Sequence, residues 1–319
     1  MYRPLLPVLL ALNLLLAQSL HAEESSDDDK AADTQTPAVQ PIPRAPLAER
    51  SRNNAEALER QVPRDEQRLL QAGDETFLAL WKPANAPQSK GLIILLPSAN
   101  ESADWPQAIK PLRLKLPDAD WSTLSLNLPD PIDAPLPAAI LPRPPEPKAK
   151  PADADADASK ETATTEPEQS ASATDTPAPV IDPATRIFAR IQAALEFAEQ
   201  QDASNIVLLG HGSGAYWAAL YLKERKPEPV KHLVTVAAQL PAGQTPALDE
   251  LIPGLKLATG DFFYKDLPVE RATALRRKQA SKRLGHDSYT QIALETLPGN
   301  QPDEQEQLYR RVRGWLDKQ

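Results

Sequence analysis

The sequence contains no cysteine, only 11 glycines and only four histidines among 319 residues. Without cysteine the chain forms no disulfide, and it has neither a thiolate catalytic centre nor a cysteine for lipid attachment. The histidines are far apart, with no His-Glu-x-x-His or similar grouping, so we predict no metal site. No phosphate-binding glycine motif is present and we predict no cofactor. The net charge is -9, and no basic, aromatic-rich face favours nucleic acid as a partner.

The N-terminus has the order of features found in secretory signal peptides. Arg3 is followed by an apolar run over residues 5–17, and Leu20-His21-Ala22 then offers a small residue for cleavage before Glu23. We therefore predict a cleaved signal peptide over residues 1–22, a periplasmic location, and no transmembrane segment after cleavage. An uncleaved N-terminal anchor is the alternative.

Two segments have a composition that does not support a folded core. Residues 23–63 are acidic and then rich in proline, and residues 129–182 are rich in proline, alanine, aspartate and threonine. Such segments bury too little apolar surface to offset the entropy lost on ordering. We predict a disordered leader, with a possible short helix over residues 47–60, and a disordered insertion. Residues 64–128 and 183–319 then form a single domain.

Strand and helix patterns alternate within that domain. Residues 67–71 and 76–81 predict a hairpin, and residues 91–96 form an unbroken apolar run typical of a buried parallel strand. Further strands are predicted over 121–128, 206–209, 232–238, 255–258 and 289–294, and helices over 105–116, 183–201, 215–224, 268–284 and 304–317. This alternation predicts an α/β fold: a mostly parallel sheet with helices on both faces, opening with an antiparallel hairpin.

One motif, Gly210-His211-Gly212-Ser213-Gly214, joins a predicted strand to a predicted helix. It resembles the nucleophile elbow of the α/β-hydrolase superfamily, a G-x-Ser-x-G turn whose central side chain points out of the sheet. If Gly210 and Gly214 are the outer glycines, the central position is Gly212, which has no side chain to attack a carbonyl. Two alternatives stay open: a register shifted by one, which makes Ser213 the nucleophile, and a glycine-rich turn in an unrelated doubly wound fold.

The resemblance also implies positions for the other catalytic residues. The acid follows a late strand, where Asp261 or Asp266 is the candidate, and the base follows the last strand. No histidine lies in residues 295–303; His286 precedes the last strand, His211 lies in the elbow, and His232 opens a strand. The loop containing Ser98 corresponds to the one that supplies an oxyanion-hole amide.

The sequence as a whole resembles secreted hydrolase-like proteins of proteobacteria that carry a domain of unknown function. It predicts a non-catalytic protein that binds a periplasmic partner or a small ligand. One alternative is an active serine hydrolase with rearranged residues: Ser213 or Ser98 as nucleophile, His286 or His211 as base, and Asp261 or Asp266 as acid. A second alternative is a structural spacer role for the proline-rich segments.

Overall fold

The computed structural model describes residues 49–130 and 182–319. The predicted signal peptide, residues 23–48 of the predicted leader and residues 131–181 of the predicted insertion lie outside the described residues. Within the two described ranges, no helix combines the length and the apolar character that a membrane crossing requires.

The domain is built on one eight-stranded sheet. Its strands are β1 (Gln67–Ala72), β2 (Glu75–Lys82), β3 (Gly91–Leu96), β4 (Trp121–Leu126), β5 (Ile206–His211), β6 (Val230–Val236), β7 (Ala258–Tyr264) and β8 (Tyr289–Leu294). Their order in the sheet is β1-β2-β4-β3-β5-β6-β7-β8. The first two strands form an antiparallel hairpin, β2 pairs antiparallel with β4, and all pairs from β4 to β8 are parallel. The fold class predicted from the sequence is thereby confirmed.

Helices cover both faces of the sheet because the central strands are apolar on both sides. The helices are α1 (Arg50–Gln61), α2 (Ile109–Lys115), α3 (Pro183–Gln200), α4 (Ser213–Arg225), α5 (Leu248–Gly254), α6 (Pro268–Arg283) and α7 (Gln301–Leu316). Every residue of β3 is buried, with Ile94 facing one hydrophobic cluster and Ile93 the other. The first cluster receives residues from α3, α4 and α5, and the second from α2 and α7.

The first helix is attached to the domain, although its sequence predicts only a loosely held helix. The Asn127 side chain donates a hydrogen bond of 2.8 Å to the Ser51 carbonyl, and Leu58 is buried at 6% exposure. Immediately before α1, Glu49 accepts a hydrogen bond of 2.6 Å from Arg186 of α3. The described fold therefore begins before residue 64, the start expected from the sequence.

Two elements differ from the sequence prediction. The late strand is β7 over Ala258–Tyr264, so the prediction of a strand over 255–258 was wrong. The sequence of β7 contains Gly260 and Asp261 and lacks a continuous apolar run, which hides it from a hydropathy pattern. Helix α5 was not predicted, because it is short and carries Pro253. The helix predicted over 183–201 is present as α3, and Asp182 caps it by accepting a hydrogen bond from the Ala184 amide, with Pro183 in the first turn.

Candidate functional site

The turn between β5 and α4 has the backbone geometry of a nucleophile elbow. Gly212 is its central residue, with φ 53° and ψ -121°, a conformation that residues with a side chain rarely adopt. The Gly212 amide donates to the Val236 carbonyl at 2.9 Å, and its carbonyl accepts from the Gln239 amide at 2.9 Å. The turn is therefore held rigidly by the end of β6 and the loop after it.

The outer glycines of the motif are required by close packing. A Cβ atom on Gly210 would run into the backbone of Ala215, and one on Gly214 would meet the Pro97 carbonyl oxygen at 2.5 Å. Strand and helix approach each other here without room for side chains. The register that places Gly212 at the apex is the one in the structure, and Ser213 is the first residue of α4.

The space that a nucleophile side chain would occupy is filled by Ser98, from the loop after β3. A Cβ atom built on Gly212 would lie 2.5 Å from the Ser98 Oγ and 2.8 Å from its Cβ. Both distances are shorter than any real contact of a Cβ atom. The apex therefore has no side chain and no vacant volume for a serine.

The backbone amides beside the apex are also engaged. In an active hydrolase the residue after the nucleophile and the loop after β3 direct N–H groups at the developing oxyanion. Here the Ser213 amide donates to the Ser98 Oγ at 3.1 Å, and the Ala99 amide donates to the Ser213 Oγ at 2.7 Å. The two hydroxyls lie 3.1 Å apart and complete the network. The protein's own serines thus occupy the place of an oxyanion.

A carboxylate–imidazole pair connects this loop to the elbow. The Glu101 Oε2 lies 2.8 Å from the His211 Nδ1 and also accepts a hydrogen bond of 2.8 Å from the Ser98 amide. Both side chains are largely buried, at 12% and 15% exposure. Among the described residues, the hydroxyls of Ser98 and Ser213 hydrogen-bond each other and the backbone, and neither bonds an imidazole.

Asp261, a predicted acid, belongs to the polar core of the domain. It lies inside β7, is completely buried, and accepts two hydrogen bonds of 2.9 Å from Arg277. Thr235, Gln291 and the Tyr289 hydroxyl donate to the same carboxylate. Burial, and then the adjacent Asp261 charge, raise the pKa of Tyr289. These bonds tie β6, β7, β8 and α6 together and satisfy the carboxylate within the core.

The other predicted catalytic residues bond or pack against other groups. Asp266 follows β7, is exposed, and accepts a hydrogen bond of 3.1 Å from the Thr296 amide. His286 lies at the start of β8, at the amino ends of the parallel strands, where its Nε2 bonds the Leu257 carbonyl at 2.7 Å. The His232 ring packs edge-on against Trp315, with centroids 6.0 Å apart. Of the site residues predicted from the sequence, the structure brings Ser98 and Ser213 into hydrogen-bond contact beside Gly212 and His211.

Sequence reasoning missed Glu101 and Glu270. Glu270, in the first turn of α6, accepts a hydrogen bond of 2.9 Å from the Tyr264 amide. Burial raises the pKa of Glu270, while the Tyr264 amide and the nearby His211 act in the opposite direction. No local pattern marks either carboxylate, because each reaches the elbow only through the packing of loops far apart in the sequence.

Beside the elbow lies a cleft between the loop after β6, the start of α5 and one face of α6, with a volume of about 590 Å³. We call it the α5–α6 cleft. Within residues 49–130 and 182–319, no group of three or more histidine, aspartate or glutamate side chains is arranged to hold a metal ion.

The sheet order, the elbow geometry and the flanking helices define a protein of the α/β-hydrolase fold. More narrowly, the chain belongs to the protein family of unknown function DUF3530, whose model matches residues 4–318. No curated protein matches the sequence.

Solved esterases share the fold at very low identity. The Pyrococcus furiosus esterase Pf2001 superimposes with a TM-score of 0.53 at 10% identity, covering 88% of this chain and 97% of the esterase. The esterase Est1E from Butyrivibrio proteoclasticus, solved with ferulic acid bound, gives a TM-score of 0.50 at 9% identity, covering 78% of this chain and 99% of its own. At such identities the likeness concerns the fold alone.

Proposed function

We propose that this protein is a non-acylating binding protein built on a hydrolase scaffold. The observation that carries the proposal is the apex of the elbow: Gly212 has no side chain, and Ser98 fills the volume a nucleophile would need. Acyl transfer by this fold requires an attacking oxygen at that point. A chain that retains the turn without the hydroxyl retains the fold and loses the covalent step.

The hydrogen bonds around the apex support the same conclusion. Oxyanion stabilisation requires preorganised donors that are free to meet the negative charge as it develops. The Ser213 and Ala99 amides already donate to hydroxyls of the protein. A substrate oxygen would have to displace these hydroxyls, and removal of one oxyanion donor typically slows such reactions by about 10²–10³.

We also propose that the protein acts in the periplasm after secretion. Support comes from the N-terminal sequence, where Arg3 precedes an apolar run and a small residue at position 22 precedes acidic residues.

The absence of acyl transfer is tested by an ester-hydrolysis assay of the purified mature chain with p-nitrophenyl acetate and butyrate. We expect the same background rate for the wild type, Ser98→Ala and Ser213→Ala. Ser102→Ala, a serine of the same loop outside the hydroxyl network, is the matched control. Turnover that is lost in one serine variant and kept in Ser102→Ala overturns the proposal.

A second candidate, a hydrolase that uses Ser98, is favoured by one observation. The carboxylate of Glu101 orients the imidazole of His211 at 2.8 Å, the arrangement of an acid and a base in a catalytic triad. That reaction needs the hydroxyl within about 2.6–3.2 Å of the imidazole, whereas the Ser98 Oγ bonds Ser213 at 3.1 Å. If this candidate is correct, turnover is lost in both Ser98→Ala and His211→Gln.

A further inference from the structure

We propose that the α5–α6 cleft binds an aliphatic carboxylate, with the apolar chain between the cleft walls and the carboxylate at Arg277. This inference rests on the proposed binding function and names the ligand class. Its evidence is separate from the elbow, since it comes from the side chains that line the cleft.

The mouth of the cleft is apolar and exposed to solvent. Leu240, Leu267 and Val269 are 44%, 42% and 76% exposed, although each is a large aliphatic side chain. Leu248 lies deeper in the cleft and is buried. A volume of about 590 Å³ falls within the roughly 300–1,000 Å³ of small-molecule sites. The walls therefore suit an alkyl chain.

A buried cation lies deeper along the same wall. Arg277 is 1% exposed, lines the cleft, and binds Asp261 through its Nε and Nη2 atoms at 2.9 Å each. Among the described residues its Nη1 atom, also buried, has no hydrogen-bond partner. Because the guanidinium is planar and its Nε–Nη2 edge faces Asp261, the Nη1 atom points away from that carboxylate. Two N–H bonds of a residue that lines the cleft are thus left without an acceptor among the described residues.

A buried polar atom without a protein partner needs a water, an ion or a ligand oxygen. Of the nine such side-chain atoms among the described residues, only the Arg277 Nη1 belongs to a residue that lines this cleft. Burial opposes the charge of Arg277, but the adjacent Asp261 and Tyr289 together outweigh burial and raise its pKa, so the guanidinium stays protonated. A guanidinium forms its strongest hydrogen bonds with carboxylates and phosphates. With aliphatic walls around it, we favour the carboxylate of an amphiphile.

The spacing along α6 sets the length of the chain. Val269, Thr273 and Arg277 follow one another at four-residue intervals on one face of the helix, and all three line the cleft. Val269 at the mouth of the cleft is eight residues from Arg277, and at 1.5 Å per residue this is about 12 Å along the helix axis. Two acidic side chains, Asp249 and Glu270, also line the cleft. They disfavour a second negative charge on the ligand, so a single carboxylate with one chain is the best match.

The test is calorimetric titration of the purified protein with dodecanoate below its micellar range. Dodecanol and acetate serve as ligands that lack the charge or the chain. We expect dodecanoate to bind at least tenfold more tightly than dodecanol, because a hydrogen bond to a charged group is lost, and acetate not to bind measurably. Equal affinities for dodecanoate and dodecanol, or no binding of dodecanoate, overturn the inference.

Variants locate the site. Val269→Glu and Leu267→Glu should weaken dodecanoate binding at least tenfold. Leu275→Glu should leave it unchanged, because Leu275 is 53% exposed on the same helix and lies outside the cleft lining. Arg277→Lys keeps a cation for Asp261 and should weaken binding about tenfold, with unfolding temperature measured alongside. If Arg277→Lys does not fold, Val269→Glu and Leu267→Glu still test the position of the site. Equal losses of dodecanoate affinity in Val269→Glu and Leu275→Glu contradict binding in the α5–α6 cleft.

A parallel titration with methyl dodecanoate separates this inference from the proposed function. Release of methanol shows hydrolysis and overturns the non-acylating function, whatever the cleft binds. Absence of dodecanoate binding without hydrolysis overturns only the cleft inference.

Discussion

Placing a serine at the apex tests the packing around Gly212 quantitatively. Gly212→Ser forces a side chain into a conformation with φ 53°, which costs about 1–3 kcal/mol in backbone strain. Its Cβ also falls 2.8 Å from the Ser98 Cβ, an overpacking that costs a further ~1–3 kcal/mol. We expect the single variant to lose about 2–6 kcal/mol of unfolding free energy.

A double-mutant cycle separates these two contributions. Ser98→Gly removes both clashing atoms and leaves the Ser98 Cα at 3.9 Å from the new Cβ, an ordinary contact. The cycle of Gly212→Ser with Ser98→Gly should give a favourable coupling of about 1–3 kcal/mol. Ser98→Ala retains the Cβ at 2.8 Å and is the matched control, with a smaller coupling expected.

The assay is equilibrium urea unfolding of the wild type, the three single variants and the two double variants. Additive free energies for Gly212→Ser and Ser98→Gly would show that Ser98 does not occupy the apex volume and would contradict the predicted clash. Equal couplings with Ser98→Gly and Ser98→Ala would show that the clash involves the hydroxyl alone.

Three further predictions concern other parts of the domain. Asp261→Asn breaks a buried ion pair and should lower the unfolding free energy in urea by about 3–5 kcal/mol. Exposed Asp266→Asn should change the same free energy by no more than about 0.5 kcal/mol. Similar losses in the two variants would contradict a core role for Asp261. Glu270→Gln should raise the unfolding temperature at pH 8 and lose that gain near pH 4. The reason is that the pKa of Glu270 is raised above its ordinary value of 4.5 in the fold, so its ionised form destabilises the folded state at pH 8. An increase in unfolding temperature that becomes larger toward low pH would contradict this prediction. Leu58→Ala should cost about 2–5 kcal/mol in the same unfolding assay because α1 is packed on the domain. Exposed Glu56→Ala is its control, and similarly small losses of unfolding free energy in both variants would show that α1 is not packed on the core.

Much of the fold follows from local patterns in the sequence. The strand predicted over residues 289–294 matches β8. The apolar run over 91–96 matches β3, because a strand buried on both faces needs continuous apolar residues. The pattern failed at β7, where Asp261 and Gly260 interrupt the apolar residues. Asp261 is tolerated inside a strand because five donors reach it from other elements, and no local sequence feature announces them.

In the candidate site, too, the local motif was visible in the sequence and the long-range contacts were not. The outer glycines mark the elbow because two backbones approach each other there, and this places Gly212 at the apex. The role of Ser98 depends on a contact between residues more than a hundred positions apart, as does the pair of Glu101 with His211. Such contacts arise from the order of strands in the sheet, which hydropathy and spacing do not determine.

Because Gly212 stands at the apex, we expect that no serine of this chain is acylated or phosphonylated at the elbow. The decisive measurement is the intact mass of the purified protein after prolonged incubation with excess fluorophosphonate, beside an active serine esterase treated identically. We expect an unchanged mass for this protein and a full shift for the esterase. A stoichiometric adduct that maps to Ser98 or Ser213 would contradict it.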